Sequence, residues 1–369
     1  MQIPKILREL YHDWITYRTA NLEHLSQGLA DRQSFLDARQ HQEIIERIVQ
    51  AYRKTQAIAE SSLPLPYHVG GAWREDINNR RKEYLEALDA DDKETLVKLF
   101  ANFFRNSGVA GTWSYGYYLD VLNGNKKVKK GFATAILKDY QVWKDLVEGV
   151  KIADIAAPPI GNAWGLVMDG SLIMADSLRY NYYANQVHNL LVDINRPVVA
   201  EIGGGYGGFA YFFLKSEKNC VYIGYDIPII LTVQTYYLMN AFPEKRFLLF
   251  DNVETSITSE TLNAYDVILM PHFQLPRLAN DAVDLFINSH SLSEMDYPTV
   301  AEYLSQIGRT CKHYFFHENS DRDVLNTGDH IEVPASGFSI PPNFKKIYKH
   351  YSPWEGGIGR QREYLYGRF

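Results

Sequence analysis

Five glycines fall within Gly203–Gly208 of the segment Val198-Val-Ala-Glu-Ile-Gly203-Gly-Gly-Tyr-Gly-Gly208, directly after an apolar, β-branched run. Glycine permits a tight left-handed turn and lets a ligand approach the backbone without meeting a Cβ. Residues 207–215 then predict a helix, whose open N–H groups and positive end favour a polar or anionic ligand. The next apolar run, 220–225, ends at Asp226. Neighbouring parallel strands would set that carboxylate beside the glycine turn, where it can accept hydrogen bonds from both hydroxyls of a ribose.

The spacing Gly203-x-Gly205-x-x-Gly208 also satisfies the dinucleotide pattern, so NAD is the rival ligand. Dinucleotide enzymes normally carry this motif early in their nucleotide domain, after a purely apolar strand. Here Glu201 stands two residues before the first glycine. A carboxylate there repels a pyrophosphate and suits a ligand that carries an ammonium and a sulfonium. Charge therefore favours S-adenosylmethionine over NAD.

Methyl transfer to a hydroxyl needs alignment and a proton acceptor, and ligands of open α/β sheets bind just beyond the carboxyl ends of the strands. His290, after the strand expected at 283–287, is the leading base, because imidazole titrates in the useful range. Glu294 and Asp296 lie on the same segment and would orient it or replace it. His317 and Glu318, after a strand expected at 313–316, form the second pair. The acidic run Glu318-Asn-Ser-Asp321-Arg-Asp323 offers a metal-assisted variant with Mg2+, although acidic loops are more often simply solvated. Tyr180, Tyr182 and Tyr183 would wall a sugar face, with Glu318 beside them, in a chain that holds 26 tyrosines.

From Pro197 onward, strand and helix alternate, which predicts a parallel, doubly wound sheet with right-handed crossovers. Segments 344–351 and 362–366, around a turn with Gly356, Gly357 and Gly359, predict a closing antiparallel hairpin. Residues 1–150 read as a helical domain. Ile44, Ile45, Ile48, Val49 and Tyr52 recur at helical spacing, and Asp91 or Asp92 caps a second stripe of Leu96, Leu99, Phe100 and Phe103. The Pro- and Gly-containing stretch 61–71 is expected as loop. So is 122–130, with Lys126, Lys127, Lys129 and Lys130. Residues 151–196 are expected to connect the two domains and to lie over the cleft, with a helix running from Ser177 to near Arg196. Residues 197–369 form the ligand-binding domain.

Composition excludes several classes. A length of 369 residues is enough for two domains, and 46% hydrophobic with 22% charged residues is ordinary for a globular chain. A net charge of −6 opposes a general nucleic-acid binder. Two cysteines, Cys220 and Cys311, make no disulfide framework and read as core thiols of a reducing compartment, so the expectation is a cytoplasmic protein. Residues 1–10 lack the apolar centre of a signal peptide, and no apolar run approaches the ~20 residues that span a bilayer. The many aromatics suggest a homodimer.

The stretch Glu201-Ile-Gly-Gly-Gly-Tyr-Gly-Gly208, with Asp226, resembles motif I and the ribose acid of class I methyltransferases. Asp284-Leu-Phe-Ile-Asn-Ser-His-Ser-Leu-Ser-Glu-Met295 resembles the fourth-strand signature of that superfamily. With Tyr182-Tyr-Ala184, the set is similar to the sugar O-methyltransferase family typified by an enzyme of polyether antibiotic biosynthesis, over about residues 160–369. The resemblance implies a Rossmann-like class I methyltransferase sheet, mostly parallel, with an antiparallel C-terminal hairpin. It also implies cofactor contacts from Glu201, Gly203, Gly205 and Asp226, joined by Gly204, Tyr206, Ile227 and Ser289, with Pro271, His272 and Phe273 bordering the adenine. The acceptor it implies is a hydroxyl of a sugar, free, nucleotide-linked or part of a glycoconjugate. A non-sugar small molecule or a peptide would use the same cofactor residues.

Overall fold

A computed structural model describes residues 15–32, 38–58, 60–216, 219–251, 256–321, 333–355 and 360–369. The readings at Met1–Leu10, at Asp323 and at the Gly356, Gly357 and Gly359 turn lie outside these residues.

Continuous apolar runs become parallel strands buried on both faces. They are β3 (Val198–Ile202), β4 (Val221–Asp226), β5 (Phe247–Leu249), β6 (Val267–Pro271), β7 (Val283–Ser289) and β8 (Cys311–Ser320). With β9 (Phe344–Tyr351) and β10 (Gln361–Arg368) they form one sheet in the order β5-β6-β4-β3-β7-β8-β10-β9. β5 to β8 are mutually parallel, whereas β10 runs antiparallel to both β8 and β9. This is the expected Rossmann-like α/β sheet with its antiparallel C-terminal hairpin, preceded by helices. A separate hairpin of β1 (Leu166–Met168) and β2 (Ser171–Ile173) turns on Asp169 and Gly170, both at positive φ.

Strand alternation divides the core into two layers. Val199, Tyr222, Leu269, Leu285, Ile287 and Phe316 face one side. Val198, Ala200, Ile202, Ile223, Ile268, Phe286 and Phe315 face the other. The first layer takes in the N-terminal helices α1 (Leu22–Leu29), α2 (Ala38–Gln56), α3 (Gly71–Arg80), α4 (Lys82–Ala90), α5 (Lys93–Ala101), α6 (Tyr115–Asn123) and α7 (Lys126–Leu146), together with α8 (Ser177–Leu190), α9 (Gly208–Ser216) and α10 (Pro228–Ala241). Helix α8 is embedded: Leu178, Tyr180, Tyr182, Tyr183, Ala184 and Val187 are buried, and it ends at Leu190, well short of Arg196. On the opposite face lie α11 (Ser259–Ala264) and α12 (Tyr297–Thr310). Asp296 caps α12 by accepting the Thr299 N–H at 2.9 Å.

The lysine run is a correction to the sequence reading. Lys126, Lys127, Lys129 and Lys130 form the first turn of α7 and not a loop. Asn125 caps it, its side-chain oxygen accepting the N–H groups of Lys127 (2.9 Å) and Val128 (3.2 Å). Lysine is a good helix former, and a preceding Asn marks a helix start, so the cap outweighs the loop-like composition. Asp92 likewise caps α5, while Asp91 ends α4 in the left-handed region. Within 61–71 lie single 3-10 turns at Glu60–Ser62 and Leu65–Tyr67, and α3 begins at Gly71.

Candidate functional site

A cavity of about 970 Å3 opens at the carboxyl ends of β3, β4, β6 and β7. Its floor is the sheet edge; its opposite wall is residues 65–81, the loop 109–114 and the start of α8. That is the usual ligand position in an open α/β sheet, and the volume is at the large end of small-molecule sites.

The glycine turn leaves β3 with Gly203, Gly205 and Gly207 at φ of +72°, +56° and +94°. A Cβ at Gly203 would stand 2.2 Å from Ser291 Oγ, and one at Gly204 would stand 2.3 Å from Gln234 Nε2. Residues larger than glycine would have to displace these neighbours. Asp226 ends β4 beside the turn, as parallel pairing of β3 and β4 requires. Its Oδ2 accepts the Gly205 N–H at 2.9 Å and its Oδ1 the Ile227 N–H at 2.7 Å. Each oxygen keeps a lone pair for a further donor. Burial lifts this carboxyl to about 7, against the pull of those two N–H groups and of Arg81.

Glu201 is buried at the end of β3 and accepts a hydrogen bond from the Tyr222 hydroxyl. Burial raises it to about 8, Asp226 adds to the rise, and the Tyr222 bond only partly offsets them. Both carboxyls border the cavity, so a cationic ligand there would meet groups that ionise on its arrival.

At the adjacent end of β7, Asn288 Nδ2 donates to Ile202 O at 2.7 Å, and Ser291 Oγ to the same carbonyl at 3.1 Å. These bonds tie the β7 loop to the glycine turn. His290 follows with φ +70° and ψ −39°, a strained backbone for a non-glycine residue. Its N–H donates to Glu318 O at 2.7 Å. Its ring Nε2 lies 3.2 Å from Glu318 Oε2 and 2.6 Å from Arg179 Nη1. Arg179 is itself paired with Asp176 at 3.0 Å, and Asp176 also accepts the Thr112 hydroxyl. Burial pushes the Glu318 carboxyl up, but His290 and Arg179 together prevail, and it ends low, at about 2.

The cavity brings together Glu201, Gly203, Gly205, Asp226, Ile227, His272, Ser289, His290, Glu294 and Tyr180 from the sequence-derived set. His272 Nε2 bonds Tyr67 O at 2.9 Å, and burial lowers its pKa. Glu294 lies at the rim, where it accepts Trp73 Nε1–H at 3.2 Å. Other members of the set stand elsewhere. Gly204 and Tyr206 lie behind the turn, Tyr206 packed edge-on against Phe104 at 4.8 Å. Phe273 packs against Phe250 at 5.9 Å. Tyr182 and Tyr183 are buried in the core, Tyr182 donating to Glu363 at 3.2 Å. Glu318 does not line the cavity; it lies behind His290 and Ser289, accepting the Ser289 hydroxyl at 3.3 Å.

His317 is fully buried on the other face of the sheet, between Tyr364 (4.8 Å) and Phe315 (4.9 Å), with Asn319 on its Nδ1. Burial lowers it to about 3. β8 extends to Ser320, so residues 317 and 318 lie within the strand, where neighbours point to opposite faces. The acidic run is likewise dispersed: Asp321 pairs with Lys349 at 2.6 Å, away from Glu318. Among the described residues no group of three or more His, Cys, Asp or Glu is arranged to hold a metal ion. Both cysteines are buried free thiols. No helix among the described residues is long and apolar enough to cross a membrane.

Sequence reasoning missed Arg179, Asp176, Trp73, Arg81, Gly111 and Trp113, all of which line the cavity. Arg81 is buried, bonded to Asp76 (2.9 Å) and to the carbonyls of Gly108 (2.8 Å) and Val109 (2.9 Å). Thus it braces the 109–114 loop, whose Ala110 O accepts the Tyr206 N–H at 3.0 Å.

No family model matches the chain, and no curated protein matches it. Among solved structures, mitomycin 7-O-methyltransferase aligns at 14% identity over 53% of this chain and 56% of its own, with a TM-score of 0.35. The chain thus spans little more than half the length of that protein. The pyocyanin biosynthetic protein PhzM aligns at 13% identity over 53% of this chain and 56% of its own, with a TM-score of 0.33. Magnesium protoporphyrin IX methyltransferase from Synechocystis PCC 6803, with bound S-adenosylhomocysteine, aligns at 12% identity over 65% of this chain and 99% of its own, with a TM-score of 0.35.

Proposed function

We propose that this chain is an S-adenosylmethionine-dependent O-methyltransferase acting on a hydroxyl of a small molecule, with a sugar or glycoconjugate as the leading acceptor. One observation carries the reading: Asp226, locked against the left-handed glycine turn by the Gly205 and Ile227 N–H groups, stands at one cavity with Glu201. A ribose diol fits the remaining lone pairs of Asp226, and an ammonium fits beside two carboxyls that burial holds near neutrality. Gly203 and Gly205 also border this cavity, and there the ligand meets backbone without a side chain.

When bound, the cofactor supplies an electrophilic methyl group on a sulfur that leaves as a neutral thioether. The protein aligns the acceptor hydroxyl and takes its proton as the oxygen–carbon bond forms. His290 is the residue placed to do so, and its tautomer decides whether it can. With its proton on Nε2 and donated to Glu318, Nδ1 keeps a basic lone pair. With Nε2 accepting from Arg179, the neutral ring carries its proton on Nδ1 and has no basic nitrogen left. Catalysis therefore uses the Glu318-paired form, with Arg179 held by Asp176. The ionised Glu318 then stabilises the imidazolium that results.

Calorimetric titration with S-adenosylhomocysteine, NAD+ and NADH tests the reading. Binding of S-adenosylhomocysteine alone supports it, and Asp226→Ala should abolish that binding. Binding of NAD+ or NADH alone overturns it, because Glu201 would then face a pyrophosphate.

A further inference from the structure

We infer that the acceptor is an unphosphorylated molecule with an apolar face, and that phosphorylated and nucleotide-linked acceptors are rejected. The inference names the acceptor class of the site just proposed and rests on that reading. Six acidic side chains line the cavity, Asp76, Asp176, Glu201, Asp226, Glu294 and Asp296, against three guanidinium groups and no lysine among the described residues; Glu201 and Asp226 belong to the proposed cofactor site, which leaves four to face the acceptor. Each guanidinium is engaged. Arg81 is held by Asp76 and two carbonyls, and Arg179 by Asp176, although its buried Nε has no hydrogen-bond partner among the described residues. Arg80, at the rim, lies 3.3 Å from the same Asp76. A phosphoryl group needs at least one cation or an open set of N–H donors to replace its hydration. Here it would meet cations already paired with Asp76 and Asp176, and the like charge of Glu294 and Asp296.

The same outer wall is apolar. Trp73 on α3 and Trp113 on the 109–114 loop both border the cavity, together with Pro66, Val69 and Met295. Trp113 is braced edge-on by Tyr117 at 4.1 Å and Phe132 at 5.3 Å. Trp73 is fixed by its bond to Glu294 and by Arg81 over its ring at 5.9 Å. Leu65, 78% exposed, extends that apolar rim into solvent. Two anchored indoles offer flat surface at little conformational cost, which suits the apolar face of a glycoside or its aglycone.

The test is tryptophan-fluorescence quenching of the protein, in the presence of S-adenosylhomocysteine, by 4-nitrophenyl β-D-glucopyranoside and by its 6-phosphate. The neutral probe should bind at least about tenfold tighter, a difference of about 1.4 kcal/mol. The Trp73→Phe/Trp113→Phe double variant should lose the quenching. Asp76→Asn, which removes the carboxylate shared by Arg80 and Arg81, should strengthen binding of the phosphorylated probe several-fold relative to the neutral one. Equal or tighter binding of the phosphate by the unmodified protein, no quenching by either probe, quenching that survives in the double variant, or no gain in Asp76→Asn each overturns the inference. Absence of S-adenosylhomocysteine binding, measured separately by calorimetry, would instead remove the methyl-transfer reading and leave the probe comparison standing.

Discussion

Gly111 and Gly205 meet backbone to backbone: a Cβ on Gly111 would stand 3.1 Å from the Cα of Gly205, and one on Gly205 would stand 2.8 Å from the Cα of Gly111. Both residues hold positive φ. The N-terminal half therefore seats directly on the turn that is proposed to receive the cofactor. Gly111→Ala adds left-handed strain of about 1 kcal/mol and pushes on Gly205. We expect S-adenosylhomocysteine affinity to fall by about tenfold or more, since a 1.4 kcal/mol loss suffices for that. Gly116→Ala is the control: its Cβ would meet only Ser114 Oγ at 3.8 Å, and it lies inside α6. Equal affinity in the two variants would separate the loop from cofactor binding.

Cofactor binding should strengthen with pH. Burial raises Glu201 to about 8 and Asp226 to about 7, so both carboxyls hold protons near neutrality in the ligand-free protein. The ammonium and ribose donors of the ligand favour the ionised forms, so binding lowers both values and releases protons. Affinity for S-adenosylhomocysteine should rise from about pH 6 to about pH 8.5 as that release ceases to be needed. Calorimetry in buffers of different ionisation enthalpy should detect protons leaving at pH 7. A flat or falling profile would show that the ligand does not meet these carboxyls.

The sheet and one half of the candidate site are legible in the sequence because their signals are local. Val198–Ile202, the glycines and Asp226 lie within one strand–turn–helix–strand unit, where pairing geometry follows from the sequence alone. The other half is not. Trp73, Gly111 and Arg179 come from three segments that meet only when the helical layer packs on the sheet, and none has a distinctive local pattern. His317 was misread for a different reason. Taking the strand to end at Phe316 put His317 and Glu318 together in a loop, whereas a strand through Ser320 forces them onto opposite faces. Phe273 and Tyr206 show the limit of position along the chain: each sits beside a cavity residue, yet its ring points into the core.

The two histidines should separate cleanly on substitution. His290→Ala removes a ring that contacts both Glu318 and Arg179 while leaving Asp226 and the glycine turn untouched. Turnover should fall by about 100-fold or more, the usual worth of a general base, with S-adenosylhomocysteine affinity nearly unchanged. His317→Phe keeps a flat ring between Tyr364 and Phe315 and should leave both turnover and its pH profile unaltered. A large loss of turnover in His317→Phe, with His290→Ala active, would reverse the assignment.

Glu318 and Glu363 are direct cross-strand partners on β8 and β10, both buried, and their surroundings drive them apart. Glu318, beside His290 and Arg179, is ionised. Glu363 is raised to about 8 by burial and by the charge of Glu318, which together outweigh the hydrogen bond from the Tyr182 hydroxyl. A carboxyl whose folded value is raised contributes stability that is complete below its unfolded value, ~4.3, and is lost as pH climbs toward 8, at about 1.4 kcal/mol per unit. Glu363→Gln keeps the shape and the Tyr182 contact but has nothing to ionise. Its melting temperature should match the parent near pH 4.5 and exceed it by a few degrees at pH 8.5, the gap widening between. A constant offset across that range would mean that Glu363 is ionised in the folded protein and that the two glutamates share their charge.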